Sequence, residues 1–281
     1  MQVSVDDLVA RATAAAGFRP VSDQFVADLT HGSSRGLLRA EVGEVGYAQA
    51  APTGTSDEAW SVETVADPAA DDVGTVLATL LTDVEAAVRA AGGTELTWLV
   101  QGPSALHNHV ADTLGYTPQR HLHQMRRPLP TGLSFEIVTR AFRASDVDDW
   151  VRVNARAFAW NPEQGSWTAE HVRARIDEAW FDADGFLIHE RNGRLAGFCW
   201  TKIHPDEGLG EIYVIAVDPD FHGLGLGRAL TLAGLQSLSD RGLATGMLFV
   251  DADNTGAIAL YDKLGFTIHR TDSLFTKPVS R

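Results

Sequence analysis

The sequence predicts an α/β protein in which two copies of one mixed-sheet domain stand in tandem. Two observations carry that prediction. The first is the stretch Gly210 to Arg228, where Ile212, Tyr213, Val214, Ile215 and Val217 form a near-continuous apolar run. Such a run suits a strand buried on both faces. Asp218-Pro219 ends it, because proline cannot donate to a ladder and fits a turn. Gly223, Gly225 and Gly227 follow at alternate positions, and then a helical pattern with Leu230, Gly234, Leu235 and Leu238 on one face stops at Gly242. Strand, glycine-rich loop and helix start together make an anion site, since free N–H groups at a helix N-terminus point at a phosphate.

The second observation is internal repetition. Val65-Ala66-Asp67-Pro68 through Gly74 parallels Val217-Asp218-Pro219-Asp220 through Gly225, and Asp112-Thr113-Leu114-Gly115-Tyr116-Thr117 parallels Asp262-Lys263-Leu264-Gly265-Phe266-Thr267. The spacing from Pro68 to Gly115 equals that from Pro219 to Gly265 to within one residue. The seam falls at Arg127-Pro128-Leu129-Pro130-Thr131-Gly132, a Pro/Gly-rich stretch fit for a linker. Residues 1–128 and 134–281 are therefore the expected domains.

The first copy opens with a helix from Val5 to Gly17, and Pro20 to Gln24 leads into a second short helix. Strands are expected near Gly36–Val42, Val45–Ala51 and Trp60–Val65. The helix Gly74 to Ala91 buries Val76, Leu77, Leu80, Leu81, Val84 and Val88, and the strand Leu96–Val100 and the helix Ser104 to Leu114 close the domain. Its glycine loop is damaged. Where the second copy has His222 and Gly227, this one has Asp71 and, without gaps, Val76. Carboxylates at an anion site repel the ligand, so a packing half without catalysis is expected. His107, His109, His121 and His123 form no metal-ligand pattern with carboxylates, and no metal is expected.

The second copy begins with an expected strand Phe135–Thr139. Ser145 and Asp148 read as a capping pair, and Val147, Trp150, Val151 and Phe158 form the stripe of the helix that follows. After a polar break a helix is expected from Thr168 to Trp180. Strands Phe186–Glu190 and Arg194–His204 meet at Asn192-Gly193, a two-residue hairpin signal. Beyond the organising helix come a short strand, Met247 to Val250, and a last helix through Tyr261.

Three phosphate-loop families must be separated. A P-loop needs Gly-Lys-Ser/Thr, and Gly227-Arg228-Ala229 supplies neither the lysine nor the hydroxyl. A dinucleotide fingerprint needs G-x-G-x-x-G, whereas His222 to Gly227 gives only alternate glycines. The third family holds the pyrophosphate of coenzyme A with Gln/Arg-x-x-Gly-x-Gly/Ala. His222-Gly223-Leu224-Gly225-Leu226-Gly227 matches its glycines and departs at the first position. Downstream, Asn254-Thr255-Gly256-Ala257-Ile258-Ala259-Leu260-Tyr261-Asp262-Lys263-Leu264-Gly265-Phe266 has the form Asn-x-x-Ala-x-x-x-Tyr-x-x-x-Gly-Phe. In these residues the chain resembles the GCN5-related N-acetyltransferases (GNAT), which implies acetyl-CoA as co-substrate. The resemblance implies a coenzyme site at Ile215, Ala216 and Val217, at His222, Gly223, Leu224, Gly225, Leu226, Gly227 and Arg228, and at Asn254, Thr255, Gly256, Ala257, Ile258 and Ala259. A backbone N–H of Ile215 to Val217 should polarise the thioester carbonyl where the strand splays from its neighbour.

Further segments narrow the resemblance: Pro162-Glu163-Gln164-Gly165, Glu178-Ala179-Trp180-Phe181-Asp182, Trp200-Thr201-Lys202, His204-Pro205-Asp206 and Gly208-Leu209-Gly210-Glu211 among them. They are similar to GNAT enzymes that carry two such domains and acetylate the cysteinyl amine of a cysteinyl glucosaminyl-inositol. Asn161 stands where those proteins carry His, and His222 where they carry Gln or Arg. An ammonium cannot attack a thioester, so the amine must lose a proton and the departing thiolate benefits from gaining one. The resemblance makes Glu211 the general base. It makes Tyr261, by helical spacing alone a core aromatic, the acid at the sulfur. Asp23, Glu163, Lys202, Glu211 and Phe249 are the implied acceptor-binding residues.

Composition limits the partners. Of 281 residues 44% are apolar, enough for a generous core. The 23 basic against 37 acidic side chains give −14, which disfavours nucleic acid and anionic membrane surfaces. The one cysteine, Cys199, excludes an internal disulfide and reads as a buried core thiol. No signal-peptide pattern opens the chain and no apolar run approaches about 18 residues. A cytoplasmic monomer is expected. Two rival readings share the coenzyme site: an acetyltransferase of protein N-termini or another small amine, and a non-catalytic acetyl-CoA sensor, for which Glu211 and Tyr261 would be dispensable.

Overall fold

A computed structural model describes residues 4–32, 36–53 and 58–279, the side chains of His31, Pro162 and Glu163 lying outside the described residues. The chain forms two compact units. The first holds the residues up to His123 together with Asp251–Asp253 and the residues from Arg270 on; the second holds Gln124–Val250 and Asn254–His269. The residues from Arg270 on, expected in the second domain, thus count with the first, and Gln124 to Pro128, expected in the first, count with the second.

In the first unit the helices α1 (Val5–Ala16) and α2 (Asp23–His31) start at serine caps, Ser4 accepting from the Asp7 N–H and Ser22 from the Phe25 N–H. Strands β1 (Leu38–Val42), β2 (Gly46–Pro52) and β3 (Ala59–Ala66) form an antiparallel meander. The helix α3 (Val73–Ala90) then returns the chain so that β4 (Glu95–Val100) pairs parallel with β3. The buried side of α3 is Val76, Leu77, Leu80, Leu81, Val84 and Val88, as the periodicity predicts. After α4 (Ala105–Leu114) comes β5 (Thr117–Pro128), whose residues to His123 belong to this unit.

The second unit continues with β6 (Arg140–Ala141), α5 (Val147–Ala157), α6 (Pro162–Gly165), α7 (Ala169–Ile176), β7 (Phe186–Arg191), β8 (Arg194–His204) and β9 (Leu209–Val217). It closes with α8 (Leu226–Asp240), β10 (Thr245–Asp251), α9 (Thr255–Lys263) and β11 (Thr267–Pro278), whose residues from Arg270 pair antiparallel with β4 in the first unit. Its strands run in the order β10-β9-β8-β7-β6. One face carries Phe186, Ile188, Phe198, Trp200, Val214 and Ala216 against Trp150 and Val153 of α5 and Val172 of α7. The other carries Cys199, Ile212 and Leu248 against Leu230, Leu235 and Leu238 of α8 and Tyr261 of α9. Among the described residues no helix is long and apolar enough to cross a membrane.

Three expectations in this unit need correction. Residues Phe135 to Thr139 are not a strand: Phe135 and Ile137 pack inward and Val138 is 84% exposed, but the ladder with β7 holds only Arg140 and Ala141. The Val138 carbonyl meets His189 Nδ1 instead of a strand. The cap of α5 is Asp146 rather than a Ser145–Asp148 pair, its carboxylate taking the Arg143 N–H and the Arg140 guanidinium. The helix expected to reach Trp180 ends at Ile176, because Glu178 accepts from both Arg175 and the Trp180 indole and turns the chain.

Close approach of α8 to the sheet requires glycine at Gly234, where a Cβ would lie 2.5 Å from Cys199 Sγ and 2.7 Å from Ile212 Cδ1. Gly234→Ala gains about 1 kcal/mol of helix propensity and meets an overpacking cost of about 1–3 kcal/mol. A net loss of up to about 2 kcal/mol is expected, read as a lower urea midpoint. A raised midpoint would show that α8 withdraws from the sheet at no cost.

Candidate active site

The site begins with an irregularity in β9. Trp200 pairs with Val214 but Thr201 with Ile212, so Tyr213 is an extra residue, a β-bulge. The bulge puts Tyr213 and Val214 on the same face, both against the aromatic cluster around Trp200. Ile212, Ile215 and Val217 face α8. Pairing of β9 with β10 is confined to Gly210, Glu211 and Ile212 with Gly246, Met247 and Leu248. Past that point the two strands part, and Ile215, Ala216 and Val217 lie on the side that has lost its neighbour. Phe249, the first β10 residue beyond the pairing, is 39% exposed.

At the paired end, Glu211 is buried and stands opposite Lys202 in the ladder. His204 Nε2 lies 2.7 Å from Glu211 Oε2. The Lys202 ammonium sits 4.9 Å from the Trp180 ring centre and 5.9 Å from that of Tyr213, cation–π contacts that hold it on this face. Trp180 packs edge-on against Tyr213 at 5.2 Å and donates its indole N–H to Glu178 at 2.5 Å. Glu211, Lys202, His204, Trp180 and Tyr213 thus build one wall.

At the parted end the chain turns at Asp218, which is fully buried. Its carboxylate accepts from the Asp220 N–H at 3.0 Å and from Arg152 and Arg156 of α5 at 3.4 and 3.2 Å. Arg156 and Arg194 on the neighbouring Asp220 draw its carboxyl down to about 2. This clamp fixes where the glycine loop starts. His222, the departure from the expected Gln or Arg, folds its Nε2 back to 3.1 Å from the Val217 carbonyl. Gly223 and Gly225 have φ of 75° and 74°, a region that L side chains rarely adopt, and nothing lies within 4 Å of a Cβ at either. Gly225 caps α8 without any side-chain bond. The N–H groups of Leu226, Gly227 and Arg228 in the first turn of α8 are therefore left for a ligand. Arg228 turns its guanidinium to the Ser134 carbonyl at 3.1 Å.

The first unit presents the opposite arrangement. Asp72 caps α3, its carboxylate accepting from the Thr75 N–H at 3.0 Å and from the Thr75 hydroxyl at 2.7 Å. Those bonds hold the Asp72 carboxyl below the usual carboxylate range. The helix start that would receive an anion already carries one. Val76 is buried at the position matching Gly227, and Asp71 is exposed beside it.

Helix α9 starts at Asn254, whose side chain accepts from the Ala257 N–H at 3.2 Å. Thr255, Gly256 and Ala259 are exposed, while Ala257 and Ile258 pack partly against the core. Tyr261 is 8% exposed and packs edge-on to Phe266 at 5.7 Å. Burial pushes its hydroxyl well above the ordinary tyrosine range, so the proton stays on near neutral pH. Of the remaining expected residues, Asp23 opens α2 in the first unit, paired with Arg19. Glu163 lies on α6 with its side chain outside the described residues. His204, Trp180, Tyr213 and Asp218 carry no role in the sequence reading; the hairpin through Pro205 to Gly208 was the available signal, since counting outward from it puts Lys202 opposite Glu211.

Residues 152–266 match the model of the acetyltransferase (GNAT) family, which sets the class. Over the whole chain the similarity is to mycothiol acetyltransferases. That of Thermomonospora curvata is 43% identical, covering 96% of this chain and 92% of its own, and that of Rhodococcus jostii is 41% identical, covering 97% and 93%. The chain belongs to the mycothiol acetyltransferase family. Among solved structures, a GCN5-related N-acetyltransferase from Sphaerobacter thermophilus shares the fold with a TM-score of 0.75 at 20% identity, covering 100% of this chain and 93% of that one. A tandem GNAT protein from the clavulanic acid biosynthesis pathway does so with a TM-score of 0.72 at 16% identity, covering 98% and 94%.

Proposed function

We propose that the protein transfers acetyl from acetyl-CoA to the cysteinyl amine of a cysteinyl glucosaminyl-inositol, the last step of mycothiol formation. The observation that carries this reading is the uncapped, glycine-opened start of α8 one turn beyond a strand that bears a buried carboxylate. Amides of Gly223 to Arg228 hold the pyrophosphate, with Leu224 and Leu226 beside it. His222 acts by bracing the loop on Val217. Ile215, Ala216 and Val217 line the pantetheine arm along the parted edge of β9, and Asn254 to Ala259 flank it. Lys202, Glu211 and Phe249, with Glu163, bind the acceptor. Chemistry resides in the second unit, and the capped α3 argues against a second coenzyme loop in the first.

Glu211 takes a proton from the ammonium, and the free amine nitrogen bonds to the thioester carbon. A backbone N–H of Ile215 to Val217 steadies the carbonyl oxygen. As the carbon–sulfur bond breaks, the nitrogen releases its second proton to water and Tyr261 gives its hydroxyl proton to the sulfur, leaving an amide and free coenzyme A. Both side chains then exchange protons with solvent.

Mass spectrometry after incubation with acetyl-CoA and a panel of amines tests the reading. Preferential acetylation of the cysteinyl conjugate supports it; preference for a peptide N-terminus or another amine overturns it, and saturable binding without turnover makes the protein a sensor. Tyr261→Phe keeps the ring packing, so acetyl-CoA affinity and melting temperature should hold while kcat falls by about 10²-fold. Unchanged kcat would return Tyr261 to a packing role.

A further inference from the structure

His204 ends β8 on the face that also carries Lys202, Glu211 and Tyr213. Its side chain is 11% exposed and that of Glu211 is 9% exposed, with 2.7 Å between Nε2 and Oε2. A carboxylate so far removed from water needs donors, because a buried charge without them is costly. Lys202 is the cation directly across the ladder, yet its ammonium lies over the Trp180 and Tyr213 rings. Glu178 and Arg175 pair with each other beside Trp180. The bond to Glu211 Oε2 comes from the imidazole.

We propose that His204 is the positioning residue of the reaction: its ring fixes one oxygen of Glu211, so that the other oxygen meets the acceptor amine. This rests on the reading of Glu211 as the base. A bond to a fixed ring sets the carboxylate's angle, as the orienting member of a catalytic triad does for its base.

The test uses the full chain with acetyl-CoA and the cysteinyl conjugate. His204→Phe keeps a flat ring without the donor. Its kcat is expected to fall by about tenfold or more, with acetyl-CoA affinity unchanged. His204→Gln, whose amide reaches the same oxygen, should recover most of the loss. In a Glu211→Ala background His204→Phe should add nothing further. Should His204→Phe not fold, His204→Asn, too short to reach Oε2, takes its place. Normal kcat in the donor-less variant, with Glu211→Ala strongly impaired, overturns the proposal and leaves the base standing. Full activity in Glu211→Ala overturns the base itself.

Discussion

Glu211→Ala is expected to lower kcat by about 10²-fold or more near neutral pH, and the deficit should shrink as the pH rises. The amine of a cysteinyl conjugate is an α-amine, with an unperturbed pKa of about 7.7–8.0. Below that range most of the acceptor is ammonium, and attack requires a group to take the proton. Above it the free amine is abundant and the base matters less. The wild-type and variant profiles should therefore converge toward about pH 9. Saturating both substrates separates this from binding, since a residue that only holds the acceptor changes KM and leaves kcat alone. A deficit that stays constant from acid to alkaline pH would mean that Glu211 acts by some means other than proton removal. The burial of Glu211 beside His204 makes the glutamate the firmer of the two protonic assignments, because strand register fixes it independently of α9.

Gly225→Val is expected to abolish acetyl-CoA binding by calorimetry while leaving the second unit folded. The space around Gly225 is open, with nothing within 4 Å of a Cβ, so the change does not strike a protein neighbour. Two other effects act. A β-branched residue at φ of 74° bears conformational strain of about 1–3 kcal/mol, which favours a different loop path. Its methyl groups also stand where phosphate oxygens must approach the amides at the start of α8. Far-UV circular dichroism should remain that of the parent. Because the corresponding helix start in the first unit is closed by Asp72, no residual turnover is expected from that unit. Normal binding by the variant would mean that the phosphates lie elsewhere, and residual acetylation at a substantial rate would place chemistry in the first unit.

Much of this was legible in the residues. Apolar continuity marks β9, Asp218-Pro219 its end, and Asn192-Gly193 the hairpin, with Asn192 at φ 53° and Gly193 at φ 70°. These are local signals, read within a few residues of where they act. The buried face of α3 was legible for the same reason. What stayed hidden depends on partners far along the chain. No local pattern announces that Tyr213 is an extra residue, so the sharing of one face by Tyr213 and Val214 follows only from the register with β8. His204 meets Glu211 through that same register. Phe135 to Thr139 alternates as a strand should, but a strand needs a neighbour, and β7 offers one only from Arg140 on. The fold-back of His222 on Val217 likewise turns an apparent defect of the glycine motif into a brace.

The position of β11 bears on how the chain is made. Ser273 to Pro278 pair with Val100 to Glu95, Phe275 packs 5.7 Å from Trp98, and the Val279 N–H reaches the Thr94 carbonyl at 2.8 Å. On the ribosome the first unit therefore cannot settle when its own residues emerge. At about 5–20 residues per second, the flank of β4 waits on the order of ten seconds for the strand that covers it. During that interval it is an open edge, able to recruit another nascent chain. Synthesis order and folding order are thus reversed for this unit, and a polypeptide released after β5 is a substrate for chaperones rather than a domain.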